Sequence, residues 1–218
     1  MPSKNVTKQF VEGGYYHAYN RGVEKRNIFL DEMDYRVFIS RIVQILSPVS
    51  PQAETSIRLK NYVNEIELVA FCLMPNHFHL LIKQVNRTSM TAFMRTLCTS
   101  YSMYFNAKYK RVGRLFQGSY KATQIESGEY ITHLSRYIHR NPLVLGFELE
   151  NYQYSSFNLL RYPPSWLRHD IVNQSFRSID EYLEFVLDES QAPDEILNRL
   201  ILEEVEKIPA STARITLA

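Results

Sequence analysis

A chain of 218 residues with 45% hydrophobic and 22% charged residues has enough apolar mass for one ordinary domain and is too apolar to be disordered. Its two cysteines, Cys72 and Cys98, sit in apolar segments, which excludes a disulfide framework or a C-x-x-C metal knuckle and points to a reducing compartment. No apolar signal region stands at the start, and the longest apolar run, Leu68 to Met74, is far too short to span a bilayer. A soluble, cytoplasmic protein with no membrane partner is therefore expected.

The elements follow in order. YYHAYNRG, residues 15–22, alternates and ends on glycine, as a first strand does. LDEMDYRVFISRIVQILS, residues 30–47, places Met33, Val37, Ile42, Ile45 and Leu46 at helical spacing behind an acidic first turn, with Pro48 as its stop. SPVSPQAETS is a polar loop. NEIELVAFCLM is a second strand, Pro75-Asn76 a tight turn, and HFHLLIKQV the returning strand of a hairpin. A long helix is expected from about Ser89 to Lys110. GRLFQGSYKATQI then reads as a strand entered from a loop around Gly113. SGEYITHLSRYIHRN is a short helix capped by Ser127 and stopped at Asn141-Pro142. NYQYSSFNLL is irregular, and from Arg177 onward two acidic amphipathic helices, broken near Pro193, form an appendage. The order β-α-β-β-α-β-α predicts an α+β fold, a mainly antiparallel, ferredoxin-like sheet with packed helices. The expected boundaries are a domain over residues 1–165 and an acidic helical extension over 166–218.

The formal net charge of +2 hides an asymmetry. From Lys83 to Lys121 there are eight basic residues and no acidic one, whereas from Asp170 to Glu206 eleven acidic residues face two arginines. These segments are either two solvated faces of opposite sign or a partner surface. Interleaved aromatics in SYSMYFNAKYKRVGRLFQGSYKA suit the second, as a stacking and phosphate-binding surface for single-stranded nucleic acid.

His77 and His79 are the polar exception in an apolar strand. Residues i and i+2 of a strand share a face, so the two imidazoles project side by side, roughly 6 to 7 Å apart at Cα, while Phe78 points the other way. They are a metal-binding pair or ordinary polar residues on a solvated face. A metal needs a further donor, for which His17, His133, His139 and the amide of Asn141 are candidates. On the short helix His133, Tyr137 and Asn141 recur at intervals of four and lie along one side.

Four blocks, YYHAYNRG, CLMPNHFHLLI, GRLFQGSYKA and SRYIHRNPLVLGF with YQYSSF, occur in this order between about Tyr15 and Phe157. In this they resemble the single-tyrosine HUH transposases, above all the branch called REP-associated tyrosine transposases. The resemblance implies that His77 and His79 are metal ligands, that Tyr137 is the nucleophile and that Asn141 is the third ligand, at a place where related families often carry glutamine. It further implies transposase-type cleavage and rejoining of single-stranded or hairpin (REP-like) DNA through a 5′-phosphotyrosine link. Mg²⁺ or Mn²⁺ suits two imidazoles and one amide oxygen better than a closed zinc site does. A tyrosine of ordinary pKa, about 10, is ionised to about one part in a thousand at pH 7, so a cation at the phosphate has work to do.

Other tyrosines fit less well. Tyr130 has Leu134 four residues on, and Tyr120 has Gln124, but on a strand these two are about 13 Å apart. Arg111, Arg114 and Lys121 are the expected phosphate contacts, with Arg21 and Arg140 beside the site. A homodimer is an assembly the resemblance allows. Two other classes compete: a DNA-binding protein on the same scaffold without catalysis, and a metallohydrolase using His77 and His79 with His17.

Overall fold

Four strands form one sheet in the order β2-β3-β1-β4, with each neighbouring pair antiparallel: β1 (Tyr15–Arg21), β2 (Ile66–Met74), β3 (His77–Gln84) and β4 (Lys121–Ile125). The computed structural model describes residues 10–48, 59–126 and 128–188. Helices α1 (Glu32–Leu46), α2 (Ser89–Lys108) and α3 (Gly128–Arg140) pack on this sheet, and α4 (Asp170–Asn173) and α5 (Ile179–Leu187) follow. The predicted ferredoxin-like α+β architecture is the one observed.

Strand alternation divides the layers. Phe78 lies 5.1 Å from Phe38 of α1, ring to ring, whereas its neighbour His79 faces Tyr137 of α3. α1 and α3 therefore cover opposite faces. β2 is apolar nearly throughout because it is buried on both sides. Its one irregularity is a bulge between Leu68 and Ala70, which leaves Val69 outside the ladder. The Val69 carbonyl instead accepts a hydrogen bond from His169 Nδ1, 3.1 Å away.

α1 starts in a capping box. The Asp31 carboxylate accepts from the Asp34 amide at 3.1 Å, and Asp34 accepts from the amides of Leu30 and Asp31. Lys108, at the end of α2, donates to both carboxylates at 2.7 and 2.8 Å, and the Tyr104 and Tyr109 hydroxyls also donate to Asp34. The last turn of α2 is thus tied to the first turn of α1. Gly22, just after β1, admits no side chain, since a Cβ there would stand 2.2 Å from the Arg26 carbonyl oxygen.

Several expectations need correction. Met33 is 53% exposed, because the helical period brings Tyr35, Phe38, Ile42 and Ile45 inward instead. The fourth strand begins only at Lys121; upstream of it, Phe116 makes a single bridge to Gly22. α2 ends at Lys108, and Lys110 takes a left-handed φ of 51°. The irregular stretch contains the 3₁₀ turn Ser156–Leu159, and a second such turn, Leu149–Asn151, ends at its first residue. The Ser127 cap, most of the SPVSPQAETS loop, the break near Pro193 and the second acidic helix lie outside the described residues. The first acidic helix is α5, capped by Ser178, whose side chain accepts from the Glu181 amide.

Candidate active site

Register places a group of functional side chains on the α3 side of the sheet. Tyr19 pairs with His79 and Arg21 with His77 across β1 and β3, while Lys121 pairs with Tyr19 and Thr123 with His17 across β1 and β4. Paired residues share a face, so His17, Tyr19, Arg21, His77, His79, Lys121 and Thr123 project together. The His77 and His79 rings are 4.8 Å apart and perpendicular. α3 crosses above them and presents Tyr137, whose ring lies 5.7 Å from His79 and 6.4 Å from His17 within the same chain.

Hydrogen bonds orient the imidazoles. Asn76 sits in the hairpin turn and donates from Nδ2 to the Lys25 carbonyl, which leaves its Oδ1 to face His77 Nδ1 at 2.5 Å. An amide oxygen only accepts, so His77 Nδ1 carries the proton and Nε2 the lone pair. His79 Nδ1 lies 3.0 Å from His17 Nε2. Burial holds the pKa of His17 down to about 3 and that of His79 well below the usual histidine range. For His77, which keeps some surface at solvent, burial and the nearby Arg21 charge lower it as well. All three are neutral at pH 7. A neutral imidazole keeps one ring-nitrogen lone pair, which is the form in which histidine ligates a metal, so the chemistry of these donors is compatible with a divalent cation.

The candidate third donors separate. His133 packs its ring 5.4 Å from Phe185 of α5. His139 is fully buried between the Tyr182 and Ser156 hydroxyls, at 2.8 and 2.7 Å. His17 spends Nε2 on His79, and among the described residues no three His, Cys, Asp or Glu side chains stand in ligand geometry. Asn141 follows α3 directly and is buried. Its Nδ2 donates to the Tyr137 carbonyl at 2.9 Å, so Oδ1 is the atom left to ligate.

The basic residues also sort by place. Arg21 donates to Gln117 Oε1, and exposed Lys121 holds its ammonium 5.5 Å from the Tyr19 ring centroid; both adjoin the histidines. Arg114 is exposed in the loop after α2, and Arg111 is held there by Asn106. Arg140 turns away, donating to the Val186 carbonyl at 2.6 Å. Lys83 and Lys108 are engaged with Glu67 and with Asp31 and Asp34, so the basic run is not one continuous patch. Tyr120 bonds Thr91 of α2. Two residues escaped the sequence argument, Asn76 and Gln117. Asn76 carried a signal, since it directly precedes the first histidine, but its turn role masked it.

Fold and site define a class of protein that sets a histidine-x-histidine strand beneath a helix-borne tyrosine on an antiparallel sheet. The chain belongs to the IS200-like transposase family, whose model matches residues 11–141. Its fold is shared with a REP-associated tyrosine transposase solved bound to a REP hairpin, at a TM-score of 0.55 and 14% identity, covering 78% of this chain and 93% of that one. A candidate transposase from Deinococcus radiodurans R1 matches at a TM-score of 0.38 and 17% identity, over 64% of this chain and 97% of that one. No curated protein sequence matches. Among the described residues no helix is long and apolar enough to cross a membrane.

Proposed function

We propose that this transposase cleaves and rejoins single-stranded DNA at hairpin-containing sequences, with Tyr137 as nucleophile. The observation that carries the proposal is the Tyr137 ring standing 5.7 Å from His79, on the face where His77 and His79 lie side by side. His77, His79 and Asn141 are the residues that would hold a divalent cation, Mg²⁺ or Mn²⁺, whose chemistry there is to neutralise phosphate charge and orient the leaving oxygen. Tyr137 Oη forms the new bond to phosphorus as the bond from phosphorus to the 3′ oxygen breaks. The phenolic proton passes to solvent and the 3′ oxygen takes one up, giving a 5′-phosphotyrosine and a free 3′-hydroxyl. Reversal by another 3′-hydroxyl rejoins strands.

Arg21 and Lys121 flank the histidines, where a scissile phosphate would sit, and Arg111 and Arg114 extend the contact along the loop after α2. The hairpin substrate is supported by the REP hairpin bound to the structural relative. A labelled hairpin oligonucleotide incubated with Mn²⁺ or Mg²⁺ and run on a denaturing gel tests the reaction. A covalent protein–DNA band is expected, reduced at least about 10³-fold in Tyr137→Phe. An adduct that persists in that variant moves the nucleophile elsewhere.

A further inference from the structure

α3 has three working sides. Ile131, Leu134 and Ile138 are buried apolar anchors, Tyr137 reaches the histidines, and Ser135, Arg136, His139 and Arg140 engage the C-terminal segment. That segment lies beyond residue 141, where the family match ends.

The last carbonyls of a helix have no partner within it. In α5 they are taken by α3: Arg136 Nε donates to the Phe185 carbonyl at 2.8 Å, Arg136 Nη2 to that of Asp188, and Arg140 Nη1 to that of Val186 at 2.6 Å. Two guanidinium groups at a helix C-terminus also meet the negative end of its dipole. One turn earlier, the buried Tyr182 hydroxyl lies 2.9 Å from Ser135 Oγ and 2.8 Å from His139 Nδ1. His139 Nε2 continues to Ser156 Oγ at 2.7 Å, and Ser156 Oγ accepts from the Phe71 amide of β2 at 2.8 Å. β2 is the strand paired with the histidine strand, with Cys72 opposite His79. These bonds therefore reference α3 to the same sheet that carries the histidines.

We propose that α5 is a clamp setting the rotation of the tyrosine helix over the histidines, with Tyr182 and Arg136 as its positioning residues. This rests on Tyr137 being the nucleophile. Apolar packing alone lets a helix roll, whereas directional bonds at residues 135, 136, 139 and 140 bracket Tyr137 within one turn on each side. A roll of about 10° moves a tyrosine oxygen roughly 8 Å from the helix axis by more than about 1 Å. A misplacement of that size costs on the order of 10²-fold in rate.

The test uses the full chain with Tyr182→Phe, Arg136→Ala and Arg136→Lys. Single-turnover adduct formation at saturating hairpin, hairpin Kd, Tm and the ¹⁹F spectrum of 3-fluorotyrosine incorporated at position 137 are compared. Tyr182→Phe is expected to slow adduct formation about 10- to 100-fold with Kd held within about twofold. Its ¹⁹F line should shift or broaden, and Arg136→Lys should recover part of the rate lost in Arg136→Ala. Rates within twofold of wild type in folded Tyr182→Phe, whatever the change in Tm, would overturn the clamp. If Arg136→Ala does not fold, Tyr182→Phe decides alone. Should the wild type form no adduct, the nucleophile assignment fails instead. The ¹⁹F line then still decides the clamp, and an unchanged line in Tyr182→Phe refutes it.

Discussion

Two groups of buried histidines lie on opposite sides of Tyr137 and differ in what their rings meet. His17 and His79 beneath Tyr137, and His139 and His169 behind it, are all at most 2% exposed, and burial depresses every one of their pKa values. Neither burial nor basicity distinguishes the groups. Partner chemistry does. In the group behind Tyr137, both nitrogens of His139 meet hydroxyls, and His169 Nδ1 bonds a bulge carbonyl, so these rings act as crosslinks between elements. In the group beneath Tyr137, the two strand histidines are held at Nδ1 by side chains, Asn76 for His77 and His17 for His79, an arrangement that aims a ring as well as anchoring it.

Substituting one ring on each side breaks the comparison most directly. His79→Ala is expected to lower metal-dependent cleavage by about 10³-fold while hairpin affinity stays within about threefold, read by denaturing gel and fluorescence anisotropy. His139→Ala should leave Mn²⁺ affinity intact but cost about 2 to 4 kcal/mol in denaturant unfolding, because the Tyr182 and Ser156 hydroxyls lose a buried partner. Equal stability losses with equal loss of metal affinity would erase the distinction between the two groups.

The split between the groups was only half legible in the sequence. Period-two spacing places His77 and His79 on one face, which is local geometry. The interval of four between Tyr137 and Asn141 reads as one side of a helix, but α3 ends at Arg140 and Asn141 opens the 3₁₀ turn that follows. His17, His133, His139 and Asn141 are all candidates for the third donor in sequence, because only the sheet register and the course of α5 decide what each histidine meets. Likewise the basic run looked continuous in sequence, and it is tertiary pairing that gives Lys83 to Glu67 and Lys108 to Asp31 and Asp34. Arg140, expected beside DNA, turns to α5 for the same reason. The fold itself was readable, apart from a shorter fourth strand, because strand and helix periods are written locally.

Acid should strip stability from the crosslinking group in a defined window. The folded-state pKa of His169 is about 4, below the ordinary value of 6.5, so below pH 6.5 the unfolded chain takes up the proton first. Stability is then full above pH 6.5 and falls as pH drops toward 4, by about 3 kcal/mol for this residue at about 1.4 kcal/mol per pKa unit. Urea unfolding from pH 7 to 4 measures the slope. His169→Gln keeps a donor near the Val69 carbonyl without titrating, so its curve should be flatter by about that amount. An unchanged slope would remove His169 from the account.

The smallest effect tests how the other group is aimed. Asn76 Oδ1 holds the proton of His77 on Nδ1 and so keeps a lone pair on Nε2. Asn76→Ala leaves both strand histidines in place, yet lets the His77 ring turn and exchange tautomers. Loss of an orienting partner outside a ligand set costs typically about 10- to 100-fold in metal affinity, and Mn²⁺ titration by calorimetry or electron paramagnetic resonance reads this without DNA. Asn76→Asp, which keeps the acceptor and adds a charge, should bind Mn²⁺ more tightly than Asn76→Ala. If both variants bind like wild type, the ring is held by packing against its neighbours, and the bond at Nδ1 merely accompanies the turn. Orientation by partner chemistry would then describe the group behind Tyr137 but not the one beneath it.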